Sequence, residues 1–387
     1  MTAPRRGPTG RVQLAVLTAA KVVANTALRW VGPFLPTLER AFSASTSTLT
    51  TVMGVAELGG LTTVLTGRAL DRGHRRSTFL LGLALVGVAS IVALAGSVVW
   101  FAVAFALVVI GVGNLTVAGH AWISDRVPYR TRGRALGAFE TAWALSLLLG
   151  ASGLAALIKV FGWRGPFVAL AAATAVAFAA VVALVEPDCP TRRADAPASS
   201  RMPRSAWTAL AGSAAIAAAG ISVFVVSGAW LEDRHGLSTA GLGLVATGYG
   251  ALELFASISA AAFSDRIGLR RSVLVGLGGL AAGVATTAAS GDSTWQAIVG
   301  LIVLLTGFEY AFVSSLSLVT EAAPQARGRT IGIGNALGTV ARAGAVFGTG
   351  LLYDSIGIGG SLALSLAAAV LGALLITGAR GGSMADA

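Results

Sequence analysis

Apolar runs of about 20 residues, separated by short polar breaks, recur along the whole chain. Runs of this length cross a bilayer core as helices, so the pattern predicts twelve membrane-spanning segments. The predicted spans are residues 12–36, 47–67, 77–95, 98–122, 133–158, 164–186, 205–230, 240–262, 272–290, 294–318, 328–352 and 357–379. This indicates an all-α polytopic membrane protein with six-helix bundles over 1–186 and 205–387, joined by a polar, cytoplasmic linker over 187–204.

Composition supports the membrane assignment and excludes other classes. The chain is 55% hydrophobic but only 12% charged, about half the charge of a soluble domain. Its one cysteine, Cys189, excludes an intramolecular disulfide and a cysteine-based metal cluster. The sequence has no P-loop, nucleophile elbow or metal-ligand spacing, so we expect no enzyme and no cofactor, with a proton as the coupling ion.

The positive charges are distributed unevenly between the predicted loops. With the N-terminus placed in the cytoplasm, 21 Lys and Arg residues lie on the cytoplasmic side and four on the other. This bias predicts a multi-pass protein of the inner (plasma) membrane with both termini cytoplasmic. It also explains the net charge of +11 without nucleic acid as a partner. The apolar stretch after the basic N-terminus carries Lys21 and Arg29, so we interpret it as an uncleaved first span.

Two landmarks repeat at nearly the same offset. The pairs Asp71-Arg72 and Asp265-Arg266 are 194 residues apart, and "RGRALG" at 132–137 and "RGRTIG" at 327–332 are 195 apart. The offset indicates an internal duplication. Because each half holds an even number of spans, the repeats share one orientation, as in transporters whose substrate site lies between rocking halves.

The loop between spans 2 and 3 carries a family motif. "GRALDRGHRR" at 67–76 resembles G-x-x-x-D-R-x-G-R-[RK], the signature of the major facilitator superfamily, and the second copy keeps Gly268. "PFLP", with Pro33 and Pro36, resembles the P-x-x-P of that family's twelve-helix drug/proton antiporters. The sequence is most similar to this branch or to the sugar-efflux-like branch of the family. Residues 147–157 have two glycines but lack the proline of the antiporter signature in span 5.

The resemblance implies a cytoplasmic gate in which Asp71 meets the helix N-terminus at Gly328–Thr330 when that side is shut. We expect Glu140, near the start of span 5, to join this gate by pairing with loop arginines. The gate candidates are Gly67, Asp71, Arg72, Arg75, Arg76, Glu140, Asp265, Arg266 and Arg270.

Three glutamates lie at membrane depth, where a charge is by default a functional hypothesis. Glu57 and Glu253 precede Asp71 and Asp265 by 14 and 12 residues, which places both near the midplane on equivalent spans. Glu309 lies at a similar depth on span 10. At least one of the three is predicted to carry a proton, with Glu309 the first choice because the resemblance implies that span 10 lines the cavity. The alternative is fixed ion pairing, for example Arg29 with Glu57 or Glu309 with Arg342.

Lys21, Asn25 and Arg29 share one stripe of the first helix because they are four residues apart. The stripe is expected to face the central cavity, although Lys21 could instead extend to the interface. His120 is expected to be a structural hydrogen bonder. The cavity candidates are Asn25, Arg29, Asn114, Tyr310, Ser314 and Arg342.

These features favour a proton-coupled secondary transporter that exports a small neutral or cationic molecule, such as a drug, metabolite or sugar. It is expected to act as a monomer in the lipid bilayer. The alternative is proton-coupled uptake of a small organic anion or nutrient through Arg29 or Arg342. A transport-dead membrane sensor is a remote third reading, because both gate copies survive and the linker is short.

Overall fold

The computed structural model describes residues 10–188, 203–322 and 327–378, which are helical throughout apart from short connections and contain no β-strand. The helices are α1 (Gly10–Arg29), α2 (Leu35–Phe42), α3 (Thr46–Glu57), α4 (Thr63–Asp71), α5 (Arg75–Val92), α6 (Val98–Arg126), α7 (Tyr129–Glu140), α8 (Ala142–Phe161), α9 (Arg164–Leu184), α10 (Arg204–His235), α11 (Thr239–Ile267), α12 (Leu269–Ala288), α13 (Thr294–Ala322), α14 (Arg327–Ile356) and α15 (Ile358–Gly378). Short 3₁₀ turns occupy Leu58–Thr62 and Ala93–Ala95.

Each predicted span has a helical counterpart, which confirms the all-α fold of twelve membrane helices. Within the described residues, ten stretches are long and apolar enough to cross a membrane by composition alone. The other two spans are α1 and α14. They carry the buried or half-buried cations Lys21, Arg29 and Arg342, which lower their mean hydropathy. The division at 187–204 stays a prediction, because residues 189–202 lie outside the described ranges.

Three predicted spans are not continuous helices, and one of them is the fifth, in which α7 and α8 are separated at Thr141. The second consists of α3 and α4 joined by the 3₁₀ turn Leu58–Thr62, which contains Gly59 and Gly60. Glycine is a poor helix former, and a 3₁₀ turn inside a helix often marks a hinge. The first predicted span was drawn too long, since α1 ends at Arg29 and the chain bends before the short helix α2.

Helices from the two halves pack together along two seams, α3 against α14 and α8 against α11. Glycines allow the backbones to approach closely. A Cβ added at Gly350 would lie 1.7 Å from the Thr50 hydroxyl, and one at Gly250 would lie 2.3 Å from the Leu148 nitrogen. Close approach through small residues is typical of helix packing in membranes.

The seams are tight at one end of the molecule only. We call the end where α1 begins, with the loops at 72–74 and 268, the basic end, and the other the opposite end. A Cβ at Gly137 or Gly332, near the basic end, would meet nothing within 4 Å. Side-chain contacts between the halves, among the described residues, include Arg29–Glu253 and Arg342–Glu57 at mid-depth and Arg40–Glu232 at the opposite end. The bundle is therefore closed at the opposite end, and in the described part of the chain α4 and α7 do not pack extensively against the second half at the basic end.

Candidate functional site

A buried ion pair joins the two halves at the centre of the bundle. Arg29 of α1 donates from Nη2 to Glu253 Oε1 of α11 over 2.6 Å, and both side chains are 3% exposed. Arg29 Nη1 donates to the Trp143 carbonyl over 2.7 Å, and its Cζ lies 4.2 Å from the Trp143 ring centroid and 5.3 Å from that of Phe224. The guanidinium is thus held by a carboxylate, a carbonyl and two aromatic faces.

A second ion pair also joins the two halves, but here the arginine belongs to the second half and the glutamate to the first. Arg342 of α14 donates from Nε to Glu57 Oε2 over 3.2 Å, with side-chain exposures of 35% and 10%. This differs from the expected pairs, which joined Arg29 to Glu57 and Arg342 to Glu309. The duplication places Glu57 and Glu253 at the same depth, so depth alone did not distinguish the two partners.

Glu309 of α13 has a different environment. It is 5% exposed, and its Oε1 accepts a 2.7 Å hydrogen bond from the Ser257 hydroxyl. Ser257 lies one helical turn from Glu253 on α11, so Glu309 neighbours the central ion pair. In the described part of the chain no salt bridge reaches Glu309. It is the midplane carboxyl without a cationic partner of its own.

Glu140 forms a cluster that differs from the predicted gate. Its Oε1 accepts from Lys21 Nζ over 2.7 Å and lies 2.5 Å from His120 Nε2. Lys21 is 2% exposed and its ammonium lies 4.2 Å from the Phe139 ring centroid. Lys21 therefore does not extend to the interface, and Glu140 binds α1 and α6 of its own half rather than loop arginines.

The other cavity candidates fall into two groups. Asn25 is 1% exposed, and neither polar atom of its side chain has a partner among the described residues. Tyr310 is half-buried. Ser314 and Asn114 were predicted to line the cavity but are buried between helices.

Both of these side chains already have hydrogen-bond partners. Ser314 shares a 2.9 Å hydrogen bond with Ser264 of α11. Asn114 accepts from Thr66 and donates to the Ile110 carbonyl over 2.8 Å, which ties α6 to the broken second span. A polar residue in an apolar helix can either line a functional cavity or join two helices by a hydrogen bond. The sequence alone therefore did not distinguish the cavity residues from Ser314 and Asn114.

The loop at the basic end holds the first half together. Arg75 pairs with Asp125 of α6, and Arg76 Nη2 donates to the Val182 carbonyl over 2.6 Å. The Asp188 carboxylate accepts from the backbone N–H groups of Arg76 and Ser77 over 2.7 and 2.9 Å, which caps α5. Burial by itself would raise the pKa of Asp188, but these hydrogen bonds outweigh it and lower the pKa. Asp188 was not anticipated, because it follows the last helix of the half in a polar stretch.

The remaining gate candidates are only partly described. Arg72 and Arg266 are exposed, Arg270 is half-buried, and a Cβ at Gly67 would meet nothing within 4 Å. The side chains of Asp71, Asp265 and residues 328–330 lie outside the described part of the structure. The predicted contact of Asp71 with Gly328–Thr330 therefore stays a prediction.

The opposite end carries a polar seam that sequence reasoning missed. Arg40 pairs with Glu232 across the halves, and the Tyr353 hydroxyl lies 3.3 Å from Asp233 Oδ2. Burial, together with the nearby Asp233 and Asp354 carboxylates, raises the pKa of Glu39, although a hydrogen bond from the Thr46 hydroxyl opposes this.

The arrangement combines two ion pairs between the halves with a nearby buried carboxyl, Glu309, that lacks a cationic partner in the described part of the chain. These are the parts that a transporter with alternating access needs. The family model of the Major Facilitator Superfamily matches residues 17–231 and 209–381. The chain belongs to this superfamily, whose members are transporters rather than enzymes.

One curated relative matches part of the sequence. The Uncharacterized MFS-type transporter YwfA of Bacillus subtilis (strain 168) is 28% identical over 157 residues. The match covers 39% of this chain and 37% of that protein.

Solved structures show the same fold at low sequence identity. A D-xylose-proton symporter superposes with a TM-score of 0.77 at 16% identity, over 95% of this chain and 97% of that one. The xylose transporter XylE of E. coli, in a partially occluded inward open conformation, gives 0.77 at 14% identity over 95% and 97%. A bacterial homologue of the human lysosomal transporter Spinster, inward-facing and unoccupied, gives 0.71 at 15% identity over 95% of both chains.

Proposed function

We propose that the protein is a proton-coupled secondary transporter that exports a small neutral or cationic molecule by rocking its two halves around the central site. It acts as a monomer in the inner membrane with both termini in the cytoplasm, and uses no cofactor besides the proton. The basic end is then the cytoplasmic side, because 21 of the 28 Lys and Arg residues lie there in the predicted topology. The conformation is accordingly inward-facing.

The observation that carries the proposal is the contrast between Glu309 and the other two midplane glutamates. Glu57 and Glu253 each have an arginine partner, whereas the Glu309 carboxyl contacts the Ser257 hydroxyl. A carboxylate buried without a counter-cation is strongly disfavoured, so Glu309 is stable here in its neutral, protonated form. Loss of that proton would create a charge beside Glu253 that competes for Arg29.

That competition gives a mechanism for coupling. The Arg29–Glu253 pair joins the halves, so weakening it alters the balance between inward- and outward-facing states. Proton release from Glu309 would draw Arg29 away from Glu253, and binding of a cationic cargo would neutralise Glu309 in place of the proton. Exchange of cargo for proton at one carboxyl is the simplest basis for antiport.

The expected charge of the cargo follows from the same set of midplane arginines and glutamates. Both midplane arginines are engaged by carboxylates, which leaves Glu309 as the group free to meet a cation. The alternative, uptake of a small organic anion, is favoured by one observation. Arg342 is 35% exposed and its contact with Glu57 is long at 3.2 Å, so an anion could replace Glu57 there.

The test uses the purified full chain in proteoliposomes with an imposed pH gradient, screened against a mixed library of cationic, neutral and anionic compounds. We expect a cationic or neutral compound to move against the proton flow. Glu309→Gln should abolish gradient-driven flux of either kind of cargo, and it should also abolish exchange of a cationic cargo, because Glu309 is the group that binds the cation. Glu321→Gln, on the same helix near its basic end, is the matched control and should behave as the wild type.

Coupled transport by Glu309→Gln at the wild-type rate would refute the role of Glu309. If no compound moved with the gradient, and Gln at 57, 253 and 309 left any uncoupled flux unchanged, proton coupling as a whole would be wrong. Co-directional movement of an anion and protons would select the uptake alternative, with Arg342→Gln as the variant that abolishes it.

A further inference from the structure

A large open cavity lies inside the first half at its basic end, away from the central ion pairs. Its volume is about 980 Å³, within the range of small-molecule sites, and its walls come from α1, α6, α7 and the segment after α9. The central site does not use it.

The walls of this cavity are strongly basic. Arg11, Arg126 and Arg134 line it together with one acidic residue, Glu186. Glu186 Oε2 lies 3.7 Å from Arg126 Nε, which is a long distance for an ion pair, and the Glu186 side chain is 56% exposed. The remaining charge on the walls is positive, so the cavity is complementary to an anion.

A buried hydrogen-bond donor on the cavity wall lacks an acceptor. Trp122 is 2% exposed, and its indole N–H has no hydrogen-bond partner within the described ranges. The Arg126 guanidinium lies 5.2 Å from the Trp122 ring centroid. Buried indole N–H groups are normally satisfied, so a ligand bound at this wall would supply the acceptor that the indole lacks.

The rest of the lining is mixed: Leu14, Val127 and Ala135 contribute apolar surface, and Gln13 and Thr131 are polar. A ligand that fits both parts needs an anionic head with acceptor oxygens and an apolar body. The cavity lies where membrane helices end and their arginines cluster, which is the level of lipid headgroups.

We propose that this cavity binds the phosphate headgroup of an anionic phospholipid, with the phosphate oxygens contacting Arg126 and Arg134 and accepting from the Trp122 indole. The first nine residues of the chain are a poor alternative occupant, since they carry Arg5 and Arg6 and would place cations against cations. The site does not depend on the direction or the coupling of transport.

The experiment measures lipid binding by native mass spectrometry of the delipidated full-length protein. The probes are phosphatidylglycerol, phosphatidylcholine and inorganic phosphate. We expect phosphatidylglycerol to bind at least tenfold more tightly than phosphatidylcholine. Arg126→Gln and Arg134→Gln should each weaken phosphatidylglycerol about fivefold, the contribution of one basic residue near an anionic surface.

Trp122→Phe keeps the ring but removes the N–H, so it should weaken phosphatidylglycerol severalfold without unfolding the protein. Arg164→Gln is the matched control, because Arg164 begins α9 at the opposite end and also lies against a tryptophan ring. It should leave lipid binding unchanged.

Three results would overturn the proposal. Equal binding of phosphatidylglycerol and phosphatidylcholine would remove the charge recognition. Displacement of phosphatidylglycerol by millimolar inorganic phosphate, with phosphate retained by the protein, would identify a free anion as the ligand. Full lipid binding by the Arg126→Gln, Arg134→Gln and Trp122→Phe variants would place the lipid elsewhere.

Discussion

Removing Arg29 alone should destabilise the protein far more than removing Arg29 together with Glu253. Both side chains are 3% exposed and joined over 2.6 Å. Arg29→Met leaves a buried carboxylate unpaired, and Glu253→Gln leaves a buried guanidinium unpaired. Breaking a buried pair from one side costs about 3–5 kcal/mol, whereas replacing both members is often close to neutral.

The double-mutant cycle isolates this interaction. Arg29→Met also loses the hydrogen bond to the Trp143 carbonyl, but that loss occurs in both the single and the double variant and cancels. The expected coupling free energy is about 3 kcal/mol or more, a factor of about 10² in the unfolding equilibrium. The assay is equilibrium unfolding in detergent micelles at neutral pH, with circular dichroism and tryptophan fluorescence as independent probes.

A matched control comes from the exposed pair of Arg40 and Glu232, which also joins the halves. Arg40 is 60% exposed, so its cycle should give at most about 1 kcal/mol. If the effects of Arg29→Met and Glu253→Gln simply added in the double variant, the two side chains would not be coupled. The central ion pair would then not hold the halves together.

Three further predictions concern the seams and the loop. Gly250→Ala should hold α8 and α11 apart, because its Cβ would lie 2.3 Å from the Leu148 nitrogen, whereas Gly248→Ala meets nothing within 4 Å. Distances between spin labels at the opposite end, measured by double electron–electron resonance, should lengthen in Gly250→Ala but not in Gly248→Ala. Unchanged distances in Gly250→Ala would contradict the close approach of α8 and α11. The raised pKa of Glu39 means that closure of the opposite end is most stable in acid and weakens as the pH rises through that pKa. Glu39→Gln should flatten the pH dependence of the spin-label distances. An unaltered pH profile would exclude Glu39 as the source of that dependence. The lowered pKa of Asp188 means that its contribution to the stability of the fold is present above the ordinary carboxyl pKa and is lost as the pH falls. Asp188→Asn should lower the stability of the protein by about 1 kcal/mol at neutral pH, measured by thermal unfolding. Equal losses of stability at pH 7 and pH 3 would contradict this pH dependence.

The pattern of apolar runs predicted the twelve helices, and it also gives the predicted depth of the charged side chains. It did so because a run of apolar residues fixes both the length of a span and the distance of each residue from its end. Lys21, Asn25 and Arg29 share one face of α1, as their spacing predicts, and all three are buried.

The sequence did not predict which charged side chains pair with each other. Arg342 and Glu57 are 285 residues apart, and periodicity gives the face and depth of a residue but not the helix opposite it. The Ser257 contact to Glu309 was missed for the same reason, since one serine among many on α11 carries no distinguishing pattern. The two glycines at 59–60 could have indicated the break in the second span, because glycine pairs disfavour helix interiors.

The central ion pair also bears on how the chain is made. Arg29 enters the membrane with the first helix, while Glu253 is synthesised 224 residues later, roughly 10–45 s behind at typical translation rates. During that interval the first bundle holds a cation whose permanent partner does not yet exist. The nascent chain should therefore stay close to the insertion machinery until α11 arrives, and truncated chains that end before α11 should be preferred substrates of membrane proteases.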